Sequence, residues 1–144
     1  MTDSDFQHGC DWDRVKDLTG WELTEKLDGV RLFWDGATAW TRGGNAMELP
    51  ARIRAGLGGL TVDGELWAGR GGFRLASIAA RLGKFHESVV FVNFADLPKI
   101  ICRSNAHALE LMAAIQRDGG EGVMARQPGL VWRPGRTVGL LKIK

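Results

Sequence analysis

Glycine is the residue type that most constrains the fold of this chain. It supplies 20 of the 144 residues, about twice its usual share in globular proteins. The glycines occur in DG, GG and GxG groups between short apolar runs and are not gathered into a linker. Because such groups supply the positive φ angles of tight turns, the pattern predicts many short strands joined by turns.

Strand and helix signals along the chain predict an α+β fold, with mostly antiparallel β-sheets and flanking helices. One helix is predicted over roughly Phe73 to Leu82, and a second begins after Ser104 as N-cap and stops at Gly119-Gly120. The predicted strands are WELTEKL (21–27), VRLFW (30–34), ATAWTR (37–42), LTVDGELW (60–67), SVVFVNF (88–94), EGVMAR (121–126), LVWR (130–133) and VGLLKIK (138–144).

Length and composition are those of one ordinary globular domain over residues 1–144. Hydrophobic residues make up 44% of the chain and charged residues 25%. No apolar run is long enough to cross a bilayer, and the polar start is unlike a signal peptide, so we expect a cytoplasmic monomer with no membrane partner. The formal charge of +2 makes no general case for nucleic acid. The two cysteines and three histidines lack metal-ligand or disulfide spacing.

The first candidate for chemistry is the segment Lys26-Leu27-Asp28-Gly29, with Arg31 two residues further on. A lysine amine is a covalent nucleophile only when deprotonated, and a free lysine is almost entirely protonated at neutral pH. A strand that ends at a DG turn would hold such a lysine rigidly. The alternative is a hairpin turn flanked by a surface lysine.

A second candidate is the pair of lysines in Leu140-Leu141-Lys142-Ile143-Lys144. The alternation along a strand places Lys142 and Lys144 on one face and the apolar residues on the other. A triphosphate would relieve the repulsion between two neighbouring ammonium groups, and the pair would favour the neutral form of a nearby lysine. The alternative is an amphipathic strand with a solvated basic face.

Two isolated acids lie on apolar strands beside glycines. Glu65 follows Gly64 in TVDGELW, and Glu121 lies between two glycines in GGEGVMA. Glycine allows close approach of a ligand, and the carboxylate could hold a ribose hydroxyl or Mg²⁺. Alternatively, both acids mark strand ends in solvent, and spacing alone does not separate the two interpretations. The loop Gly69-Arg70-Gly71-Gly72 lacks the spacing of a phosphate-binding loop, which favours a plain turn.

The order of the motifs carries more information than any one of them. Six motifs follow one another from about Trp21 to Lys144: TEKLDGVRLFWDG, TRGGN, VDGELWAGRG, VVFVNFADLP, GGEGVMAR and LLKIK. This succession resembles the covalent nucleotidyltransferase superfamily, which includes DNA ligases, RNA ligases and mRNA capping enzymes. The flanking sequences are most similar to small bacterial and phage ATP-dependent DNA ligases, which implies an ATP-grasp-like nucleotidyltransferase domain.

The resemblance implies a role for each matching residue. Lys26 corresponds to the nucleophile that forms lysyl-AMP, and Asp28 to an acid needed on nicked DNA. The adenine-stacking aromatic of the family lies in a pattern like VFDLP, which corresponds here to Phe94, with Phe91 as the alternative. The further correspondences are Thr24 and Glu25 beside the adenine, Arg31 at the ribose or reacting ends, Arg42 on the 5′-phosphate of the nick, Glu65 on the ribose, Glu121 with the metal, and Lys142 and Lys144 on the α-phosphate.

The implied activity is sealing of nicked double-stranded DNA in repair, replication or recombination, with ATP as substrate and Mg²⁺ as the metal. Two departures from the family pattern qualify it. The stretch from Pro98 to Ser104 is short, and the sequence stops at Lys144 without the OB-fold domain that normally follows. A truncated, catalytically impaired remnant that binds nucleotide or nick ends is therefore an alternative interpretation, and an RNA ligase or capping enzyme is another.

Overall fold

The computed structural model describes residues 3–144, apart from the side chain of Ser4. Ten strands and three α-helices alternate along the chain, and half of the glycines, ten of 20, adopt positive φ angles between them. The strands are β1 (Gln7–Asp11), β2 (Glu22–Lys26), β3 (Val30–Trp34), β4 (Ala39–Thr41), β5 (Ala46–Met47), β6 (Val62–Trp67), β7 (Val90–Asn93), β8 (Ile100–Ile101), β9 (Gly122–Arg126) and β10 (Gly135–Ile143), and the helices are α1 (Ala51–Arg54), α2 (Phe73–Leu82) and α3 (Asn105–Arg117).

The chain divides into two compact units. The central unit comprises Asp28–Asp96 together with Asp3, and the terminal unit comprises Ser4–Leu27 and Leu97–Lys144. Each unit holds one five-stranded sheet and one hydrophobic core of its own. Each is described separately below.

The terminal unit is built on a sheet with the strand order β1-β10-β9-β2-β8. Strand β1 runs parallel to β10, and the other pairings are antiparallel. Helix α3 covers one face of this sheet through Ala108 and Ile115, which pack in the same core as Leu23, Val123 and Ile143. The alternating apolar side chains of β2, β9 and β10 therefore face the helix and leave the other face of the sheet to polar residues.

The central unit is built on an antiparallel sheet with the strand order β5-β4-β3-β6-β7. Leu32 and Leu66 are fully buried on its core side, where Ala76 and Ala79 of α2 pack against the same cluster. The small side chains of α2 allow its backbone to lie close to the sheet. The polar residues of β3 and β6 occupy the opposite face.

Both predicted helices are confirmed. Helix α2 has the predicted bounds, and α3 begins after Ser104, whose hydroxyl accepts a hydrogen bond from the His107 N–H at 3.1 Å. The predicted α+β class with antiparallel sheets is confirmed as well. Four short elements were not predicted because their sequences contain no clear strand or helix pattern: strands β1, β5 and β8 and helix α1.

The predicted strand over LVWR (130–133) is wrong. These residues form an irregular segment, because the Leu130 N–H turns back to the Gln127 carbonyl at 3.1 Å and Pro134 has no N–H to donate to a neighbouring strand. Among the described residues, no helix combines the length and the apolar composition that a bilayer span requires.

Candidate functional site

Lys26 ends strand β2 and forms a short ion pair. Its Nζ lies 2.6 Å from Oε1 of Glu121, and the two side chains are 19% and 31% exposed. Glu121 directly precedes β9, which pairs with β2 so that Lys26 lies opposite Gly122. The antiparallel pairing of β2 and β9 thus brings together two residues that are 95 positions apart in sequence.

The polar face of the terminal sheet collects several of the predicted residues. Thr24 lies opposite Met124, which in turn lies opposite Lys142. Residues opposite one another on adjacent strands point to the same face, so Thr24 and Lys142 share the face of Lys26. Glu25, the neighbour of Lys26 in β2, points to the other face beside Val123.

A glycine separates Lys26 from the end of β10. A Cβ added to Gly122 would lie 2.3 Å from the Ile143 carbonyl oxygen and 3.1 Å from the Cβ of Lys144. The close packing of β9 against β10 therefore requires glycine here.

Lys142 and Lys144 follow the predicted alternation of β10. Leu141 and Ile143 are buried in the core, whereas Lys142 is half-buried and Lys144 exposed on the opposite face. Among residues 3–144, neither ammonium group lies within ion-pair distance of a carboxylate. The face therefore presents two positive charges that form no ion pair, an arrangement suited to an anion, although Asp11 lies opposite Lys142 on β1.

In the central unit, Glu65 is held on the polar face of β6 although it is only 8% exposed. Its Oε2 accepts a hydrogen bond from the Gly29 N–H at 3.0 Å. A Cβ on Gly29 would lie 2.0 Å from the Leu66 carbonyl oxygen, so only glycine allows the backbone to approach this closely. The DG turn after Lys26 thus fixes the position of the Glu65 carboxylate.

Arg31 is clamped between an acid and an aromatic ring. Its Nε and Nη2 donate to the two carboxylate oxygens of Asp63, the first at 2.9 Å, and its guanidinium lies 5.5 Å from the ring centroid of Phe94. Asp63 was not singled out in the sequence. The sequence could have indicated Asp63 through the alternation of side chains along β6, which places Asp63 on the same face as Glu65.

Phe94 and its alternative, Phe91, have different surroundings. Phe94 begins a 3₁₀ helix directly after β7 and lies near Arg31 on the polar side of the sheet. Phe91 is opposite Leu66 in the ladder and packs against the core. Of the two rings, Phe94 is the one placed beside the charged residues of the central unit.

Asp28 and Arg42 lie at turns of the central unit. The Asp28 carboxylate accepts hydrogen bonds at 3.1 Å from the Trp67 indole N–H and from the Gly71 N–H. It thereby anchors the Gly69–Gly72 loop, which is a turn as predicted. Arg42 lies in the turn between β4 and β5, where its Nε donates to Asp3 at 3.0 Å and its side chain is 53% exposed.

Comparison with known proteins gives matches in sequence and in structure, although no family model matches the chain. A DNA ligase of Haemophilus influenzae is 25% identical over an alignment of 161 positions, which covers 88% of this chain and 59% of that protein. The chain thus spans about three fifths of the length of this relative.

Two solved structures are similar over almost the whole chain. A Lig E DNA ligase, from a study of DNA binding with a minimal scaffold, matches with a TM-score of 0.82 and 23% identity over 96% of this chain and 68% of that one. Chlorella virus DNA ligase-adenylate matches with a TM-score of 0.74 and 16% identity over 98% and 67%, respectively. The fold is that of a DNA ligase nucleotidyltransferase domain.

The sequence match agrees with the structural matches. Because the relative is a DNA ligase and its alignment covers 88% of this chain, the chain is similar to DNA ligases in sequence as well as in fold. The resemblance predicted from the ordered motifs is confirmed. The roles of the individual site residues stay predictions.

Proposed function

We propose that residues 1–144 constitute the nucleotidyltransferase domain of an ATP-dependent DNA ligase and that Lys26 forms the lysyl-AMP intermediate. The single observation that carries the proposal is the polar face of the terminal sheet, where Lys26 at the end of β2 and two lysines that form no ion pair, Lys142 and Lys144 at the end of β10, lie on either side of β9. A nucleophile beside a cationic face is what nucleotidyl transfer from a polyphosphate requires.

In the first step the Nζ of Lys26 attacks the α-phosphorus of ATP. The N–P bond forms, the bond from phosphorus to the bridging oxygen breaks, and the electron pair leaves with pyrophosphate. Lys142 and Lys144 stabilise the charge that accumulates on the phosphate oxygens. The amine must give up a proton to solvent before attack, and its Nζ forms an ion pair with Glu121 at 2.6 Å. That pair must open before the nitrogen can reach the phosphorus.

Glu121 is the residue that would hold Mg²⁺. Magnesium in nucleotide sites is commonly bound through one or two carboxylates together with substrate phosphates and water, so a single half-exposed carboxylate beside the phosphate-binding face fits. Residues 3–144 contain no cluster of three or more metal-binding side chains, which agrees with a metal that arrives with the nucleotide. When bound, Mg²⁺ would neutralise phosphate charge. Engagement of Glu121 by a cation would also weaken its hold on Lys26.

The family pattern assigns further nucleotide contacts to residues of the central unit. There, Glu65, already fixed by the Gly29 N–H, would accept from a ribose hydroxyl, and Phe94 would stack on the adenine. In the terminal unit the same pattern assigns Thr24 and Glu25 to the adenine, and of these two Thr24 shares the face of Lys26. Arg31 is held by Asp63, so its guanidinium is pre-oriented for the ribose or the reacting ends. These assignments follow the family pattern, and hydrogen bonds of the central unit support those of Glu65 and Arg31.

The proposed later steps use nicked duplex DNA. AMP passes to the 5′-phosphate of the nick and is then displaced by the 3′-hydroxyl, with Arg42 on the 5′-phosphate and Asp28 assisting. Residues 122–144 contain five of the 19 Lys and Arg residues and none of the 17 Asp and Glu residues. This basic segment supports contact with a phosphate backbone.

The test is covalent labelling with ATP carrying a label on the α-phosphate, in the presence of Mg²⁺ and followed by denaturation. We expect labelled wild-type protein and a loss of label of at least about 10³-fold in Lys26→Ala, because no other group replaces a covalent nucleophile. Lys84→Ala, at an exposed lysine of the central unit, is the matched control and should label normally. Absence of label in the wild type, or equal label in Lys26→Ala, would contradict the proposal.

The substrate is tested separately with labelled protein. Nicked DNA with a 5′-phosphate should take up AMP and yield sealed product, whereas nicked RNA should react more slowly and GTP should not label the protein. Preferential reaction with RNA or GTP would indicate an RNA ligase or a capping enzyme.

A further inference from the structure

A small cationic pocket lies at the end of β10 in the terminal unit. Its volume is about 210 Å³, and its lining includes three basic side chains, those of Arg14, Lys142 and Lys144, and one acid, Asp11. Trp12 and Ile143 complete the wall. Its net positive charge and its size suit a small anion.

Arg14 is held at this pocket by an unusual backbone. Its φ of 66° is the only positive φ of a non-glycine residue in the described part of the chain, and this conformation is unfavourable for a residue with a Cβ. The Asp13 carboxylate maintains it by accepting from the N–H groups of Val15 and Lys16 at 2.8 and 2.9 Å. Backbone strain of this kind persists where the surrounding structure imposes it and is concentrated at functional sites.

The guanidinium of Arg14 lies against Lys144, which directly follows β10. Its Nη2 donates to the Lys144 carbonyl oxygen at 3.4 Å, the long end of hydrogen-bond distances. This contact is weak and exposed, so most of the guanidinium N–H groups are available to a ligand. An arginine fork is well matched to phosphate oxygens.

The strand order relates this pocket to Lys26. The order β2-β9-β10-β1 places Lys26 on the first of these strands, Lys142 and Lys144 two strands further on, and Arg14 just after the last. Adjacent strands lie about 4.8 Å apart. Lys26 lies opposite Gly122, and a Cβ on Gly122 would lie 3.1 Å from the Cβ of Lys144, so the pocket and Lys26 lie at the same end of the sheet.

We propose that this pocket binds the β- and γ-phosphates of ATP and that Arg14 stabilises the departing pyrophosphate. The inference rests on the proposed function, because it takes Lys26 as the nucleophile. In-line displacement requires the leaving group opposite the attacking amine. When the bond between the α-phosphorus and the bridging oxygen breaks, the electron pair passes to pyrophosphate, and the positive charge of Arg14 lies beside it.

The test compares Arg14→Gly and Arg14→Lys with the wild type. Glycine tolerates the positive φ, so Arg14→Gly removes the guanidinium without straining the fold, and Arg14→Lys retains the charge without the fork. We expect Arg14→Gly to slow lysyl-AMP formation and to weaken binding of inorganic tripolyphosphate, each by roughly tenfold or more, and Arg14→Lys to recover part of both. Arg103→Ala, at an exposed arginine outside the pocket, should change neither.

Sealing of pre-adenylylated nicked DNA separates this role from a general structural one, since that reaction involves no pyrophosphate. It should proceed at the wild-type rate in Arg14→Gly. Unchanged adenylylation and tripolyphosphate binding in Arg14→Gly, or an equal loss in sealing of pre-adenylylated DNA, would overturn the inference. If the wild type forms no lysyl-AMP but binds tripolyphosphate through Arg14, the proposed function fails while the anion pocket stands.

Discussion

At the scale of single residues, the polar face of the central sheet depends on a glycine. Glu65 is a nearly buried carboxylate whose Oε2 accepts the Gly29 N–H. A buried carboxylate is costly unless hydrogen bonds compensate it, so the distance between the two backbones determines whether the acid can be held there. Gly29 makes that distance possible because it has no Cβ to meet the Leu66 carbonyl.

Gly29→Ala should therefore destabilise the protein. The added Cβ would lie 2.0 Å from the Leu66 carbonyl oxygen, and relief of the clash would move β3 away from β6, at a cost of about 1–3 kcal/mol or more. Chemical denaturation measures the free energy of unfolding. Gly59→Ala, where the added Cβ meets nothing within 4 Å, is the control and should change stability by less than about 0.5 kcal/mol. Equal stability of the two variants would show that the strands adjust freely.

At the scale of elements, α3 is defined by its first turn and its apolar face. Ser104 is extended, with φ −170°, and its hydroxyl accepts from the His107 N–H. The helix then buries Ala108 and Ile115 against the terminal sheet. The cap satisfies a backbone donor that has no partner within the helix.

Ser104→Ala should lower the free energy of unfolding by about 1 kcal/mol, because that donor loses its partner. The change lies on the core side of the terminal sheet, so formation of lysyl-AMP at saturating ATP should be unaffected. Glu110→Ala, at an exposed position of the same helix, serves as the control. A loss of stability no greater than that of the control would mean that water replaces the serine hydroxyl at no cost.

At the scale of the whole molecule, three turn carboxylates link stability to pH. The pKa of Asp13 is lowered by hydrogen bonds from the N–H groups of Lys16 and Val15. The pKa of Asp17 is lowered by the hydroxyl and the N–H of Thr19. The pKa of Asp35 is lowered by the Trp40 indole and by the N–H groups of Thr38 and Ala37. All three are solvent-exposed. A pKa below the unfolded value of about 3.9 means that the native state favours the charged form.

The protein should therefore lose stability as the pH falls below about 4. The contribution of each acid is fully present above its unfolded pKa and is lost as the pH falls through the lower, folded value. Asp35→Asn should be less stable than the wild type at pH 7 and should lose less on acidification. Denaturation curves at several values between pH 3 and 7 measure this, and parallel curves for the two proteins would contradict the expectation.

Local patterns were sufficient for several features of the fold. The apolar spacing and the Ser104 cap predicted α3, and the alternation in LLKIK predicted that Lys142 and Lys144 share a face, because both depend only on near neighbours. LVWR shows the limit of such patterns: its composition is typical of a strand, but Pro134 and the turn at Gln127 prevent regular pairing.

The amino-acid sequence by itself determined the α+β class, the two main helices and, through the order of the motifs, the resemblance to DNA ligases; that Lys26 is the nucleophile stays a prediction from this resemblance. Only the tertiary structure showed that Lys26 pairs with Glu121, that Asp63 holds Arg31, and that Arg14 lines a pocket with Lys142 and Lys144. Contacts of this kind join residues from distant parts of the chain, up to 130 positions apart for Arg14 and Lys144. Periodicity reports which face a residue occupies, but strand order and register decide what it meets there.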